Sequence, residues 1–213
     1  MHNTMEEKIT AAYLRLVNTE YEPINAHTVA EAAGITEAEL YQYFSGADAV
    51  GARLWLDLGQ EVSAALRESE VYASYPARQK MLSYFFTFFE LALRLRTFID
   101  YTVQDKAILK PYREAFKALM EELVQEGLDA EDIKDRLALS RNYPDMLWEL
   151  HLKLIRIWLH DTSAGFAETE KAIEHYSKLP LELIGPNLLD SVADTVKYQL
   201  EKMNVRVRNP FRF

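Results

Sequence analysis

The stretch Val29-Ala30-Glu31-Ala32-Ala33-Gly34-Ile35-Thr36-Glu37-Ala38-Glu39-Leu40-Tyr41-Gln42-Tyr43-Phe44 decides the fold. Its alanine-rich first half lacks strand alternation and stops at Gly34, a residue suited to the left-handed position just past a helix end. Two residues on, Thr36 and Glu39 have the spacing of a capping box, in which each side chain satisfies the other's free backbone N–H. Two short helices joined by a three-residue turn have the size of a helix-turn-helix.

The same signals recur outward from this stretch. Upstream, Thr4 and Glu7 form another capping-box pattern, which predicts a first helix over about residues 5–18. Asn25 is placed to cap a second over 26–33. The third is expected to run from Thr36 to near Tyr43 and Phe44. Ile9, Ala12, Leu16, Val29, Ala33, Leu40 and Tyr43 are the candidate core of these three helices. Downstream, Val50, Leu54, Leu58, Val62 and Leu66 recur every four residues, predicting a long helix over 47–73. Pro76 opens an aromatic-rich helix, a short one is expected over 98–105, and Pro111 suits the first turn of another that ends before Gly127. Further helices are expected from Pro144 to Leu159, over 166–184 and over 188–203. With seven Gly, seven Pro and no hairpin signal, the chain is expected to be all-α. A DNA-binding-like module is expected over 1–47 and a larger helical domain over 48–213.

Composition excludes several function classes. The chain has 213 residues and no cysteine, so disulfide scaffolds, thiolate metal sites and cysteine nucleophiles are excluded. No apolar run approaches the ~18 residues of a membrane-spanning helix, and the first residues do not form a signal peptide. A cytoplasmic protein without membrane association is expected. The five histidines show no metal-ligand spacing, and no glycine-rich phosphate loop occurs. No metal, no cofactor and no enzymatic activity are expected. The segment from Trp158 to Phe166 contains His160, Asp161 and Ser163, but triad members normally converge from separate elements. Capping of the following helix by Thr162 or Ser163 explains the segment better.

The string from Val29 to Thr36, followed by Leu40-Tyr41-x-Tyr43-Phe44 and preceded by Ala11-Ala12, resembles the DNA-binding module of the tetracycline-repressor-like family. The resemblance spans roughly residues 5–55, and the remainder matches the family's ligand-binding and dimerisation domain in length and helix count. It implies a homodimer whose third helices enter successive major grooves of a palindromic operator, and a small ligand that releases DNA. By this resemblance the last two helices pair with their mates. Leu189, Val192, Val196 and Leu200 are the interface candidates.

The sequence departs from the family pattern where DNA chemistry is concentrated. Glu20 stands where a glycine usually closes the first helix, and Ala47 replaces a phosphate-contacting lysine. Glu37-Ala38-Glu39 opens the recognition helix. Residues 1–50 hold two basic and eight acidic residues, within a chain of net charge −9. Phosphate contacts need Lys or Arg. Thr36, Tyr41, Gln42 and Tyr43 are the uncharged base-reading candidates, and Glu37 could accept a hydrogen bond from cytosine N4. Glu37 and Glu39 also simply suit a helix N-terminus. The alternative function is a repressor-like fold that has lost DNA binding and serves as a small-molecule or lipid-binding module.

In the larger domain, helical spacing puts Glu149, Lys153, Arg156 and His160 on one stripe and His151 opposite, among Leu147, Leu154 and Trp158. His151 is therefore expected to be buried, either as a satisfied core histidine or as the polar anchor of an apolar ligand pocket. Phe85, Phe89, Tyr101, Phe116 and Trp148 are the other ligand-contact candidates, for an apolar small molecule. The same aromatics could be plain core.

Overall fold

The computed structural model describes residues 4–19, 23–134 and 142–184, with the side chains of 179, 180 and 182–184 set aside. These residues are all-α, with no strand among them. Three short helices come first: α1 (Met5–Thr19), α2 (Ala26–Ala33) and α3 (Glu37–Leu40). They are followed by α4 (Ala47–Glu68), α5 (Ala77–Ala92), α6 (Arg96–Thr102), α7 (Lys106–Asp129), α8 (Tyr143–His160) and α9 (Ala167–Ile184). The described residues fall into two compact units, one drawn from Met1–Glu61 and Glu90–Ala115, the other from Val62–Phe89 and Phe116–Phe213.

In the first unit, the predicted caps form. Thr4 N donates to Glu7 Oε2 (2.8 Å) and Glu7 N to Thr4 Oγ1 (3.2 Å). Asn25 caps α2 by accepting from Thr28 N, and Gly34 ends it at φ 63°, its N–H directed to the carbonyls of Ala30 and Glu31. Ile9, Ala12, Val29, Ala33 and Leu40 are buried. Tyr43 is not, as it is 45% exposed, and Phe44 takes the core position instead. The reason is that α3 is only four residues long. Beyond Leu40 the chain tightens into turns, with Gln42 N bonded to Glu39 O and Tyr43 N to Leu40 O. This three-residue repeat rotates Tyr43 outward and Phe44 inward.

A second core in this unit surrounds Trp55 of α4. Its indole stacks on Tyr112 (centroids 5.2 Å apart, 28° between planes) and lies 5.8 Å from Phe98. Trp55 Nε1 donates to Thr102 Oγ1 (2.9 Å), and that hydroxyl donates to Phe98 O (2.7 Å), so the buried polar atoms are satisfied. Gly51 is needed here, because a Cβ would meet Tyr13 Oη at 3.0 Å and Ile108 Cγ2 at 3.3 Å.

The α4 stripe from Val50 to Leu66 is buried throughout, but the helix ends at Glu68, and residues 72–74 form a 3-10 turn. Two other expected boundaries also move. Pro111 lies inside α7 rather than in its first turn. Asp105 is the cap, with Oδ1 accepting from Ala107 N (2.8 Å) and Ile108 N (3.1 Å). At its other end α7 runs through Gly127 to Asp129. There the chain turns back so that Ile133 N bonds Gly127 O (2.9 Å). A Cβ on Gly127 would come within 2.5 Å of Ile133 Cδ1 and 2.9 Å of Ala77 Cβ. The glycine is therefore a packing site in the second unit, not a helix stop.

Candidate nucleic-acid interface and aromatic core

The helix-turn-helix presents a small polar surface on a well-capped base. Thr36 and Glu39 bond reciprocally: Thr36 N and Thr36 Oγ1 each donate to Glu39 Oε2 (2.8 Å), and Glu39 N donates to Thr36 Oγ1 (3.2 Å). The backbone and hydroxyl of Thr36 hold the Glu39 carboxyl below its ordinary range. Both expected partners of the capping box are thus present, and Glu39 is committed to the backbone. Glu37 Oε1 lies 3.0 Å from His27 Nδ1, tying the start of α3 to α2. Tyr41 (54% exposed), Gln42 and Tyr43 project outward from the turns that follow. The structure thus brings Thr36, Glu37, Tyr41, Gln42 and Tyr43 onto one short segment.

Cations are scarce on this surface. Arg15 donates from Nη2 to Ala32 O (2.7 Å), which fixes α1 to the end of α2. Lys8 is exposed on α1. Arg53, just after the module, is shared between Glu6 (3.1 Å) and Asp57 (2.7 Å). The exposed tyrosines and Gln42 offer neutral donors and acceptors, which suit base edges and do little for phosphate affinity.

In the second unit, His151 is fully buried at the centre of an aromatic cluster. Phe116 stacks on its ring (4.9 Å, 8°), and Phe88 meets it edge-on (4.4 Å, 80°). Phe85, Tyr84, Trp148 and Phe89 complete the cluster at 5.8 to 6.5 Å. Burial pushes the imidazole down to about 3, so it is neutral near pH 7. Of the six expected ligand-contact residues, five come together here. Tyr101 does not; it is 56% exposed and belongs to the first unit. Sequence reading passed over Phe88, the ring nearest His151, although its place within the Phe85–Phe89 run was a usable signal. The rings are at contact distances, so a molecule entering this cluster must displace side chains.

The α8–α9 loop carries capping rather than reaction chemistry. Asp161 Oδ1 accepts from Ser163 N (2.8 Å) and Ser163 Oγ (2.6 Å), and Oδ2 from Thr169 N (2.8 Å) and Thr169 Oγ1 (2.6 Å). These donors, the Ser163 and Thr169 hydroxyls first, hold the carboxyl far below the usual carboxylate range. Ser163 Oγ also accepts from Glu168 N (3.1 Å). His160 Nδ1 faces Arg156 O (2.7 Å).

No helix among the described residues is long and apolar enough to cross a membrane, and no group of three or more His, Asp or Glu among them could hold a metal ion. The dimer candidates Leu189, Val192, Val196 and Leu200 lie outside the described residues.

No curated protein matches the chain. Among solved structures, the chain is similar to a protein from Shewanella sp. PV-4 that is provisionally assigned to the tetR family of transcription regulators. The two are 15% identical with a TM-score of 0.62, over 85% of this chain and 98% of the other. That likeness concerns the fold. The family model described as "Tetracyclin repressor-like, C-terminal domain" matches residues 80–198, more than half of the chain. The helix-turn-helix lies outside that match, so its geometry is a separate observation. Together with the all-α architecture, the match shows that this chain belongs to the tetracycline-repressor-like family of transcription regulators.

Proposed function

We propose that the chain is a homodimeric, ligand-responsive transcriptional regulator that acts in the cytoplasm and reads a palindromic operator. In this reading residues 1–47 hold the DNA and residues 48–213 bind the ligand and dimerise. The observation that carries it is the exposed Tyr41-Gln42-Tyr43 segment, mounted behind a capping box on a packed three-helix core. The two tyrosines are about half exposed, and their hydroxyls are not bonded to a described residue. Their donors and acceptors suit base edges and phosphate oxygens. Thr36 and Glu37 flank them at the start of α3. Leu189, Val192, Val196 and Leu200 form the two-fold interface with the second copy. An apolar ligand held by Phe85, Phe89, Phe116, Trp148 and His151 would have to repack the cluster, which supplies the shape change that ligand release of DNA requires.

A second reading is favoured by the acidic first fifty residues and by the engagement of Arg15 with Ala32 O. It is a repressor-like fold that has lost DNA binding and serves as a small-molecule or lipid-binding module. Selection of binding sites from random duplexes, followed by titration at low and physiological salt, decides between them. An enriched palindrome whose binding is abolished by Tyr43→Ala supports the regulator. Absence of any duplex binding, even at low salt, overturns the regulator and leaves the second reading.

A further inference from the structure

We propose that Lys106, Lys110 and Arg113 on α7 form a second DNA-contacting surface, one that neutralises backbone phosphates the helix-turn-helix cannot. The inference rests on the DNA-binding reading above and assigns the missing phosphate chemistry to a different element of the same compact unit.

Three observations support it. The first is placement. Spacings of four and three residues put these side chains on one face of α7, with about 6 Å of axial rise between the first two and about 10 Å overall. All three are exposed, whereas Ile108, Leu109 and Tyr112 are buried on another face. The second is availability. Elsewhere in this unit Arg15, Arg53 and Arg94 are engaged, by Ala32 O, by Glu6 and Asp57, and by Glu61. Lys106 and Lys110 have no carboxylate within ion-pair distance among the described residues. The nearest carboxylate in sequence, Asp105, is occupied by the backbone N–H groups of Ala107 and Ile108. Residues 106–115 hold three basic residues and one acidic residue, Glu114.

The third observation is a firm mounting. Ile108, on the same turns, packs beside Gly51 in the first turn and a half of α4, the helix that follows the reading module. Charge complementarity selects a polyanion, and residence in the unit that holds the helix-turn-helix selects duplex DNA.

The test is the salt dependence of binding to an operator duplex and to a scrambled duplex, for the intact protein and for Lys106→Gln/Lys110→Gln. Each phosphate contact contributes about −0.9 to the slope of log affinity against log salt. Loss of two contacts should make the slope shallower by about 1.8 on both duplexes. A salt step from 50 to 200 mM should then weaken the intact protein about tenfold more than the variant. The ratio of operator to scrambled affinity should not change. An equal slope for both proteins overturns the inference while leaving operator reading intact. A shallower slope on both duplexes without any operator preference supports the inference and removes operator reading. Failure to bind any duplex at low salt overturns the inference as well. So does an unchanged DNA slope accompanied by loss of binding to phosphatidylglycerol vesicles, which would assign the cations to a membrane surface.

Discussion

The helix-turn-helix and the His151 cluster are held together by opposite means. In the former, residues three apart satisfy each other: Thr4 with Glu7, Asn25 with Thr28, Thr36 with Glu39. Apolar residues fill a modest core and the exposed face around Tyr41, Gln42 and Tyr43 is polar. In the latter, residues from α5, α7 and α8 converge on one neutral imidazole, and almost every contact is a ring on a ring. The first region should therefore respond to single changes by small, local losses, and the second by large ones. The difference also separates the two functions proposed for them. A rigid capped base suits reading a fixed surface, and a cluster of packed rings suits rearrangement.

The largest expected effect is therefore at Phe116. Truncation to Ala removes the ring stacked on His151 and leaves a cavity beside Tyr84, Phe85 and Trp148. Loss of about 3–5 kcal/mol is expected, measured by urea unfolding with an unchanged m-value. A loss below ~1 kcal/mol would show that the cluster collapses freely and that its packing is not the principal support of the second unit.

The next effect is pH-dependent. His151 has its folded value depressed to about 3, against about 6.5 in an unfolded chain. The unfolded state therefore binds the additional proton. Stability is complete above about pH 6.5 and falls as pH drops toward the folded value, with a slope approaching ~1.4 kcal/mol per pH unit. His151→Phe should flatten this slope between pH 6 and about 4.5, whatever its effect at pH 7. Asp161, also depressed, contributes stability that is complete above the usual carboxylate range and lost below it, so that part of the loss should persist in the variant. Equal acid slopes for the two proteins would mean that His151 is not desolvated in solution.

An intermediate effect is expected at Gly127. Its Ala variant forces the Ile133 side chain and Ala77 apart. Overpacking of this kind costs about 1–3 kcal/mol, read as a lowered melting temperature. For comparison, Gly34→Ala should act through backbone conformation alone, because its φ is 63° and no atom lies near the added Cβ. Val196→Glu probes the proposed dimer. Sedimentation should show monomers, since the interface of a stable dimer buries well over 1,000 Å² and a carboxylate there stays unpaired. An unchanged dimer would locate the interface elsewhere.

The same contrast explains how much could be read from the sequence. Caps are set by residues three apart, so the ends of α1 and α2 and the start of α3 were legible. So was the direction of His151, because an eighteen-residue helix averages its apolar pattern over several turns. The partners of His151 were legible only in part. Periodicity says that Phe85, Phe89, Phe116 and Trp148 are on apolar faces, but not that they meet, and Tyr101 shared their composition without their location. The end of α3 was missed because Tyr43 and Phe44 are both aromatic and either can fill a core position, and only the tightening after Leu40 decides which one turns inward. Gly127 was read as a stop because its need for space comes from Ile133 and Ala77, which no local pattern reveals. Pro111 hid Asp105, since a proline near a helix start outweighed a capping side chain six residues earlier.

The smallest effect on stability should be the largest on the proposed function. Tyr41 and Tyr43 are about half exposed, and neither hydroxyl is hydrogen-bonded to a described residue. Removing both hydroxyls, by Tyr41→Phe and Tyr43→Phe together, should change stability by no more than about 0.5 kcal/mol. It should also leave the Thr36–Glu39 capping box untouched. If the segment reads DNA through these hydroxyls, operator affinity should fall, with each lost hydrogen bond worth about 0.5–1.5 kcal/mol, or roughly tenfold in total. The fall should be accompanied by little change in salt slope, because a tyrosine releases no counterion when it contacts a phosphate oxygen or a base. That signature differs from the one expected of the α7 lysines, which should change the slope and spare the operator preference. Operator binding that is indifferent to the loss of both hydroxyls would leave Thr36, Glu37 and Gln42 as the reading groups. Because Thr36 already spends its hydroxyl on Glu39, discrimination would then rest chiefly on Gln42 and Glu37.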